Sequence, residues 1–230
     1  MRSFLPSSLK SLGVAVAALA LITAVPAFAD TIAYQDPAGQ GTQDYGGNLA
    51  LTFQVNSTPI VVDALGVFNA LGTGTIVGPI AVGIYNSSGT LLTSVVFSGN
   101  YTPAGSGYDV FQSITPIVLG PGEYEVDAVG FSNNDLNGNL NTGSSSGPTL
   151  NSGGGLLTFY GAGYDGSGTL DFPHTCAGCQ ALPTQAQQFD AGTFAYSAAS
   201  ATPEPDGLIL LGTGLLGVAG MARRRMFANR

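Results

Sequence analysis

The chain has 230 residues, with 34 glycines, six Lys or Arg, 14 Asp or Glu and a formal net charge of −8. Every Lys and Arg lies in the first ten or the last eight residues, so residues 30–202 carry 12 carboxylates, the histidine His174 and no Lys or Arg. Such a region cannot neutralise phosphates, which excludes nucleic acid as a partner and makes phosphate or carboxylate substrates unfavourable. The length suits one medium domain with targeting segments.

The first 29 residues have the organisation of a secretory signal peptide. Arg2 and Lys10 give a positive start, residues 12–25 form an uncharged apolar run, and Ala27-Phe28-Ala29 is a small-x-small cleavage site. The apolar run is shorter than the ~20 residues that a membrane-spanning helix needs. We therefore expect signal peptidase to remove residues 1–29, so that the rest is exported through the inner membrane.

Residues 30–197 form the predicted exported domain. Its runs of β-branched and aromatic residues are short, and each is bounded by Gly, Pro, Asn or Ser, which is typical of β-strands. Alternation places Leu49, Leu51, Phe53 and Val55 on one apolar face, which indicates antiparallel sheets packed on each other. The predicted fold class is all-β: an antiparallel, jelly-roll-like β-sandwich flanked by a signal helix and a transmembrane sorting helix. The predicted strands are 48–55, 60–69, 80–86, 91–98, 108–119, 123–131, 156–160 and 189–197.

Within this domain, residues 62–68 (VDALGVF) and 82–92 (VGIYNSSGTLL) resemble a pattern in uncharacterised bacterial surface β-sandwich domains. Asn86-Ser87-Ser88-Gly89 between two apolar runs predicts a hairpin turn, in which Gly89 supplies a positive φ. The resemblance implies the same sandwich fold and carries no activity with it.

Three carboxylates, Glu123, Glu125 and Asp127, alternate along one predicted strand and therefore share one face. We expect a solvated face that keeps the domain soluble. Two alternatives remain open. A glycoside hydrolase uses a pair of carboxylates, one as acid and one as base or nucleophile, so two of these residues could be catalytic. Uncompensated carboxylates are also hard ligands for calcium, with Glu125 and Asp127 as candidates.

Residues 132–155 form a long segment of mostly Ser, Asn, Gly and Thr. Asp135 and Asn137 offer oxygen ligands at alternate positions, as a calcium loop does, but the Gly and Glu that an EF-hand needs further along are absent. We expect an unstructured polar loop, with a looser calcium site as the alternative. No resident cofactor is otherwise predicted.

Cys176 and Cys179 are the two cysteines of the chain. Because exported proteins meet an oxidising compartment, we predict a disulfide that closes this short loop. A thioredoxin-like redox pair would need a βαβ context that is absent. A zinc site with Asp171 and His174 is a further alternative.

The end of the chain has three parts after a flexible linker at residues 198–202. Pro203-Glu204-Pro205 comes first, residues 207–222 form a Gly- and Leu-rich apolar stretch, and Arg223, Arg224 and Arg225 follow. As a helix the stretch would be ~24 Å long, short against a hydrocarbon core of ~30 Å. The arginines predict that this end stays cytoplasmic and stops translocation.

These three parts, in this order, resemble the PEP-CTERM sorting signal over residues 203–230. The resemblance implies recognition of Pro203, Glu204 and Pro205 by an exosortase, a membrane-embedded cysteine transpeptidase-like enzyme of cells that make exopolysaccharide and biofilm. It implies a protein held transiently in the inner membrane by helix 207–222 and delivered to the cell surface or extracellular matrix, near extracellular polysaccharide.

Three functions are compatible with these observations. We favour a non-catalytic surface or matrix protein, because the exported domain lacks cations and has a single histidine. The first alternative is a carbohydrate- or surface-binding module, with ice among the surfaces, and the second is the carboxylate-based hydrolase. The tyrosines in or near predicted loops could stack on sugar rings; they are Tyr34, Tyr45, Tyr101, Tyr108, Tyr160 and Tyr164.

Overall fold

The computed structural model describes residues 30–37, 41–143, 145–173, 179–182 and 184–199. This part of the chain is all-β, its sheets are antiparallel, and it contains no helix, hence none that could cross a membrane. The predicted signal peptide, the Pro203-Glu204-Pro205 motif, helix 207–222 and the arginines lie outside the described residues. They remain predictions.

Six strands form the larger sheet, and all neighbours in it pair antiparallel. The central strands are apolar on the inner face. Among them, β9 (Gly122–Val129) lies between β3 (Asn48–Val55) and β5 (Thr75–Asn86). In spatial order the strands are β13 (Gln180–Leu182), β12 (Leu157–Asp165), β3 (Asn48–Val55), β9 (Gly122–Val129), β5 (Thr75–Asn86) and β6 (Leu91–Asn100).

Five strands form the second sheet, and two short strand pairs lie outside both. The second sheet has the order β1 (Thr31–Ile32), β15 (Gly192–Ala198), β4 (Ile60–Phe68), β8 (Asp109–Leu119) and β7 (Pro103–Ala104). The short pairs are β10 (Gly138–Asn139) with β14 (Phe189–Asp190), and β11 (Thr149–Leu150) with β2 (Tyr34–Gln35).

The apolar faces of the two sheets form one core. Phe53 of β3 and Phe194 of β15 have ring centroids 4.6 Å apart, and Tyr34 packs edge-on against Phe194 at 6.2 Å. Burying side chains of this size stabilises the fold by about 1.5–3 kcal/mol each. The predicted inward set Leu49, Leu51, Phe53 and Val55 is fully buried, which confirms that interpretation.

Most predicted strands are present, with shifted ends. The strand predicted at 156–160 instead runs from Leu157 to Asp165, through a register shift between Phe159 and Ala162 where Gly161 has a φ of 97°. The strand predicted at 189–197 is two strands in different sheets, broken at Ala191. Ala198, predicted to open the linker, ends β15.

The hairpin predicted at residues 86–89 is confirmed. Gly89 has a φ of 77°, and its N–H donates to the carbonyl of Asn86 at 2.9 Å. Asn86 Oδ1 also accepts from the main-chain N–H groups of Ser88 and Thr90, at 3.1 and 2.9 Å. This Asx-type bonding explains why Asn begins the turn.

The segment 132–155 is not the unstructured loop that its composition predicts. It contributes β10 and β11, and the carboxylate of Asp135 accepts hydrogen bonds from the main-chain N–H groups of Val77 and Gly78 at 3.0 and 2.7 Å. Partners distant in sequence therefore order polar residues that have no apolar face of their own.

Candidate functional site

A cavity of about 260 Å³ opens at one end of the larger sheet, beside the short pair β10–β14. Four of its lining residues carry side-chain amides, and two are tyrosines. The lining consists of Gln43, Tyr45, Leu49, Asn139, Asn141, Tyr164, Leu182, Gln188 and Phe189.

Main-chain pairing brings the amide residues together from three parts of the chain. The N–H groups of Thr42 and Gln43 both donate to the carbonyl of Asn137, at 2.9 and 3.0 Å. Asn139 pairs with Phe189 in the β10–β14 ladder. The loop before β3, the ordered segment after β9 and the strand before β15 therefore form one wall.

The amides of this wall are hydrogen-bonded to one another in a chain. Asn141 Nδ2 donates to Gln188 Oε1 at 3.3 Å, and Gln188 Nε2 donates to Asn139 Oδ1. Asn139 Nδ2 in turn donates to Gln43 Oε1 at 3.1 Å, and Asn137 Nδ2 reaches the same oxygen at 3.3 Å. Each amide fixes the orientation of the next, so the remaining donors and acceptors have defined positions.

Aromatic rings form another part of the lining. Tyr45 and Tyr164 meet edge to face with ring centroids 6.3 Å apart, and Tyr164 meets Phe189 in the same way at 6.3 Å. The hydroxyl of Tyr45 donates to the carbonyl of Asp165 at 2.6 Å, which holds that ring. Burial raises the pKa of Tyr45, and the carboxylate of Asp165 raises it further, so this phenol stays neutral at physiological pH.

The chemistry of the cavity suits an uncharged polar ligand. Side-chain amides both donate and accept hydrogen bonds, which matches a hydroxyl group that does the same. Aromatic rings cover apolar faces. Among the described residues, the lining includes no carboxylate, Lys, Arg or His, so the side chains that the structure shows there carry no formal charge.

The carboxylates of β9 are elsewhere, and the prediction of a solvated face is wrong for two of them. Glu123 is exposed, whereas Glu125 and Asp127 are 1% and 0% exposed. The segment after β12 covers this face: Leu170 lies over Gly83 of β5, and Tyr85 and Phe172 pack with ring centroids 5.7 Å apart. Burial raises the pKa of Asp127 well above its usual value, and Asp165 raises it further.

The four calcium candidates Glu125, Asp127, Asp135 and Asn137 do not form one site. Glu125 and Asp127 lie in the middle of the larger sheet, while Asp135 binds the main chain at the start of β5. Asn137 Oδ1 accepts from the N–H of Tyr45 at 3.1 Å. No group of three or more His, Cys, Asp or Glu among the described residues is arranged to hold a metal ion.

Cys179 lies just before β13, with its Sγ 3.5 Å from Asp165 Oδ2. Cys176 and His174 lie outside the described residues. The disulfide between Cys176 and Cys179, and the zinc alternative with Asp171, therefore stay predictions.

Of the six tyrosines singled out in the sequence, the cavity uses Tyr45 and Tyr164. Tyr34 is instead fully buried in the core, and the hydroxyl of Tyr101 accepts from the N–H of Ser98 at 2.9 Å. The sequence analysis did not predict that side-chain amides would line a cavity. Their one signal is the density of Asn and Gln in segments that composition alone marks as loops.

The chain matched nothing in comparisons with protein-family models, with curated proteins or with solved structures.

Proposed function

We propose that this chain is an exported, non-catalytic surface or matrix protein with a jelly-roll-like β-sandwich domain that binds a neutral carbohydrate. The cavity of amides and tyrosines is the observation that carries this proposal. Two antiparallel sheets around one core support the sandwich. The expected surroundings, polysaccharide outside the cell, would supply such a ligand.

The amides and the aromatic rings of the lining make different contacts with the sugar in this proposal. The amides of Gln43, Asn139, Asn141 and Gln188 hydrogen-bond sugar hydroxyls, and their mutual bonds hold them ready before the ligand arrives. The ring of Tyr164, between Tyr45 and Phe189, lies against the apolar face of the sugar. The hydrolase alternative receives no such support, because Glu125 and Asp127 are buried away from this cavity.

Glycan-array binding followed by calorimetry tests the carbohydrate site, using the exported protein and uncharged oligosaccharides. Asn141 is exposed and contributes to the cavity, so we expect Asn141→Ala to weaken binding about tenfold, the equivalent of about 1.4 kcal/mol. Tyr164→Leu should weaken binding because it removes an aromatic ring from the lining of the cavity. Asn133→Ala, an exposed amide outside the cavity, is the matched control and should bind like wild type. Equal affinity of all four proteins, or no binding of neutral glycans, contradicts the proposal.

The sorting of the protein is a separate part of the proposal and has its own experiment. Glu204→Ala should leave insertion intact but block processing, because helix 207–222 and the arginines are unchanged. Deleting Arg223, Arg224 and Arg225 should let the tail pass through the membrane. Peptide mass spectrometry of the surface form in a host with the matching exosortase reads the C-terminus. Intact Arg230 at the same level in wild type and Glu204→Ala would instead indicate a plain membrane anchor.

A further inference from the structure

Three carboxyl groups from distant parts of the chain meet in the interior. Asp36 follows β2, Asp109 begins β8 and Asp190 ends β14, and they are 1%, 0% and 0% exposed. The carboxyl group of Asp36 lies within hydrogen-bonding reach of those of Asp109 and Asp190. The main-chain N–H of Asp36 also donates to Asp109 Oδ2 at 3.2 Å. Three acidic groups therefore share one buried region.

The described residues give these acids few donors. Ser145 Oγ donates to Asp190 Oδ2 at 2.6 Å. Both carboxyl oxygens of Asp36, together with Oδ1 of Asp109 and of Asp190, are buried without a hydrogen-bond partner. Residues 30–202 contain no Lys or Arg, and His174 lies outside the described residues. No cation among the described residues balances three ionised carboxylates here.

We propose that Asp36, Asp109 and Asp190 form a proton-held clamp, in which neutral Asp36 donates its O–H to the carboxylate of a neighbouring acid. Protonation converts one acceptor into a donor and removes one negative charge, which allows carboxyl groups to share a buried site. When base removes this proton to solvent, the hydrogen bond is lost and like charges face each other. The clamp therefore opens as the pH rises.

The electrostatics agree with this direction. Burial raises the pKa of Asp36 well above its usual value, and the charges of Asp109 and Asp190 add to the rise. Burial raises the pKa of Asp109 to about 7, against an opposing effect of Asp36. Burial raises that of Asp190 to about 6, against opposing hydrogen bonds from Ser145 and Asp36. Unfolded Asp has a pKa of about 3.9, so the folded clamp retains protons that the unfolded chain releases. Its stability therefore declines as pH rises above about 4 and stops declining once the pH exceeds the folded pKa values.

The clamp connects β14, which lines the cavity, to the end of β2 and to the start of β8. Asp190 directly follows Gln188 and Phe189, which line the cavity, and it pairs with Gly138 of β10. Opening the clamp should loosen this wall first. A loss of sugar affinity at alkaline pH rests on the proposed function, whereas the loosening of β14 does not.

Hydrogen exchange with mass spectrometry tests the clamp in the exported protein without any sugar. We expect the protection factor of the peptide that contains residues 188–190 to fall as pH rises from about 4 to about 8, by up to about tenfold per pH unit for each linked proton. The peptide 48–55 of β3 should change less. A protection factor at 188–190 that does not depend on pH contradicts the clamp.

Two substitutions sharpen the test. Asp36→Asn keeps a donor but cannot ionise, so protection at 188–190 should depend on pH less steeply than in wild type, by one linked proton. Asp127→Asn, which removes a buried carboxyl group outside the clamp, should keep the wild-type response. If Asp36→Asn does not fold, infrared spectroscopy of Asp127→Asn, which lacks the buried acid outside the clamp, still decides: a protonated-carboxyl band must decrease over the same pH range, and an unchanged band overturns the proposal.

Two further outcomes separate this inference from its alternatives. Restored protection at alkaline pH on adding calcium would assign the acids to a metal ion and overturn the proton clamp. A pH response at 188–190 in a protein that binds no neutral glycan would support the clamp while contradicting the proposed function. Sugar binding with no pH response at 188–190 would do the reverse.

Discussion

The protein buries carboxyl groups in two different ways. Asp135 is 7% exposed, and its carboxylate receives main-chain N–H groups of Val77 at 3.0 Å and of Gly78 at 2.7 Å. Asp36 is 1% exposed, and neither of its carboxyl oxygens accepts a hydrogen bond from a donor among the described residues. The first region stabilises a charge with fixed donors, whereas the second has to remove charge by holding a proton.

Asn48 likewise provides a fixed hydrogen-bond donor to a carboxylate, in another part of the molecule. Its Nδ2 donates to Asp165 Oδ1 at 3.0 Å and to the carbonyl of Thr169 at 2.8 Å, while its Oδ1 accepts the N–H of Asp171 at 3.1 Å. One amide thus replaces a cation in holding an acidic segment over the sheet. In a domain without Lys or Arg, amides and main-chain N–H groups take the role of counter-ions.

The largest effect should come from removing this amide. Asn48→Ala leaves the carboxylate of Asp165 with fewer donors and frees the segment that covers β9, so we expect a loss of about 3 kcal/mol in the free energy of unfolding. Urea denaturation measures it, with Asn133→Ala as the exposed control. A loss below about 1 kcal/mol would mean that the covering segment does not depend on Asn48.

Removing Asp135 should cost somewhat less. Asp135→Ala leaves the N–H groups of Val77 and Gly78 without their acceptor, and hydrogen bonds to charged groups contribute about 1.5–3 kcal/mol. We expect a loss of about 2 kcal/mol in urea denaturation. Asp44→Ala, which removes an exposed carboxylate of the same chain, should change stability little; an equal loss in both variants would contradict the assignment.

The proton-held region should respond to pH. Because burial raises the pKa of Asp109 to about 7 and of Asp190 to about 6, the folded protein binds more protons than the unfolded chain near neutral pH. Its free energy of unfolding should therefore fall as pH rises from about 4 to about 7, by up to about 1.4 kcal/mol per pH unit for each linked proton, and the slope should level off above the folded pKa values. Thermal unfolding across this range measures the slope, and increasing stability with pH would reverse the sign that we predict.

The smallest effect concerns the hydroxyl beside the clamp. Ser145→Ala removes the donor to Asp190 Oδ2 and the acceptor of the Gly147 N–H at 3.2 Å, so we expect a loss of about 1 kcal/mol. Since Ser145 lowers the pKa of Asp190, the decline in stability should also shift to higher pH. Ser146→Ala, an exposed neighbour, is the control. A decline that shifts to lower pH would contradict this role of Ser145.

Local signals were sufficient for some of the strands. β3 runs from Asn48 to Val55 as predicted, because its alternation and its flanking turn residues are all contained in one short stretch. The hairpin at 86–89 was predictable for the same reason. The ends of β12 were not, because its continuation past Gly161 requires a bulge that only pairing with β3 stabilises.

Composition alone determined that residues 30–202 have no Lys or Arg, and periodicity determined the all-β class of the described residues. Only tertiary structure decided which polar residues are buried and which of them meet. Glu125 and Asp127 alternate like a solvent face, but a segment some forty residues later covers them. The amides at 43, 139, 141 and 188, and the acids at 36, 109 and 190, come together through strand pairing across the whole chain. Sequence periodicity reports only which side of its own strand a residue occupies, and long-range packing determines what lies against that side.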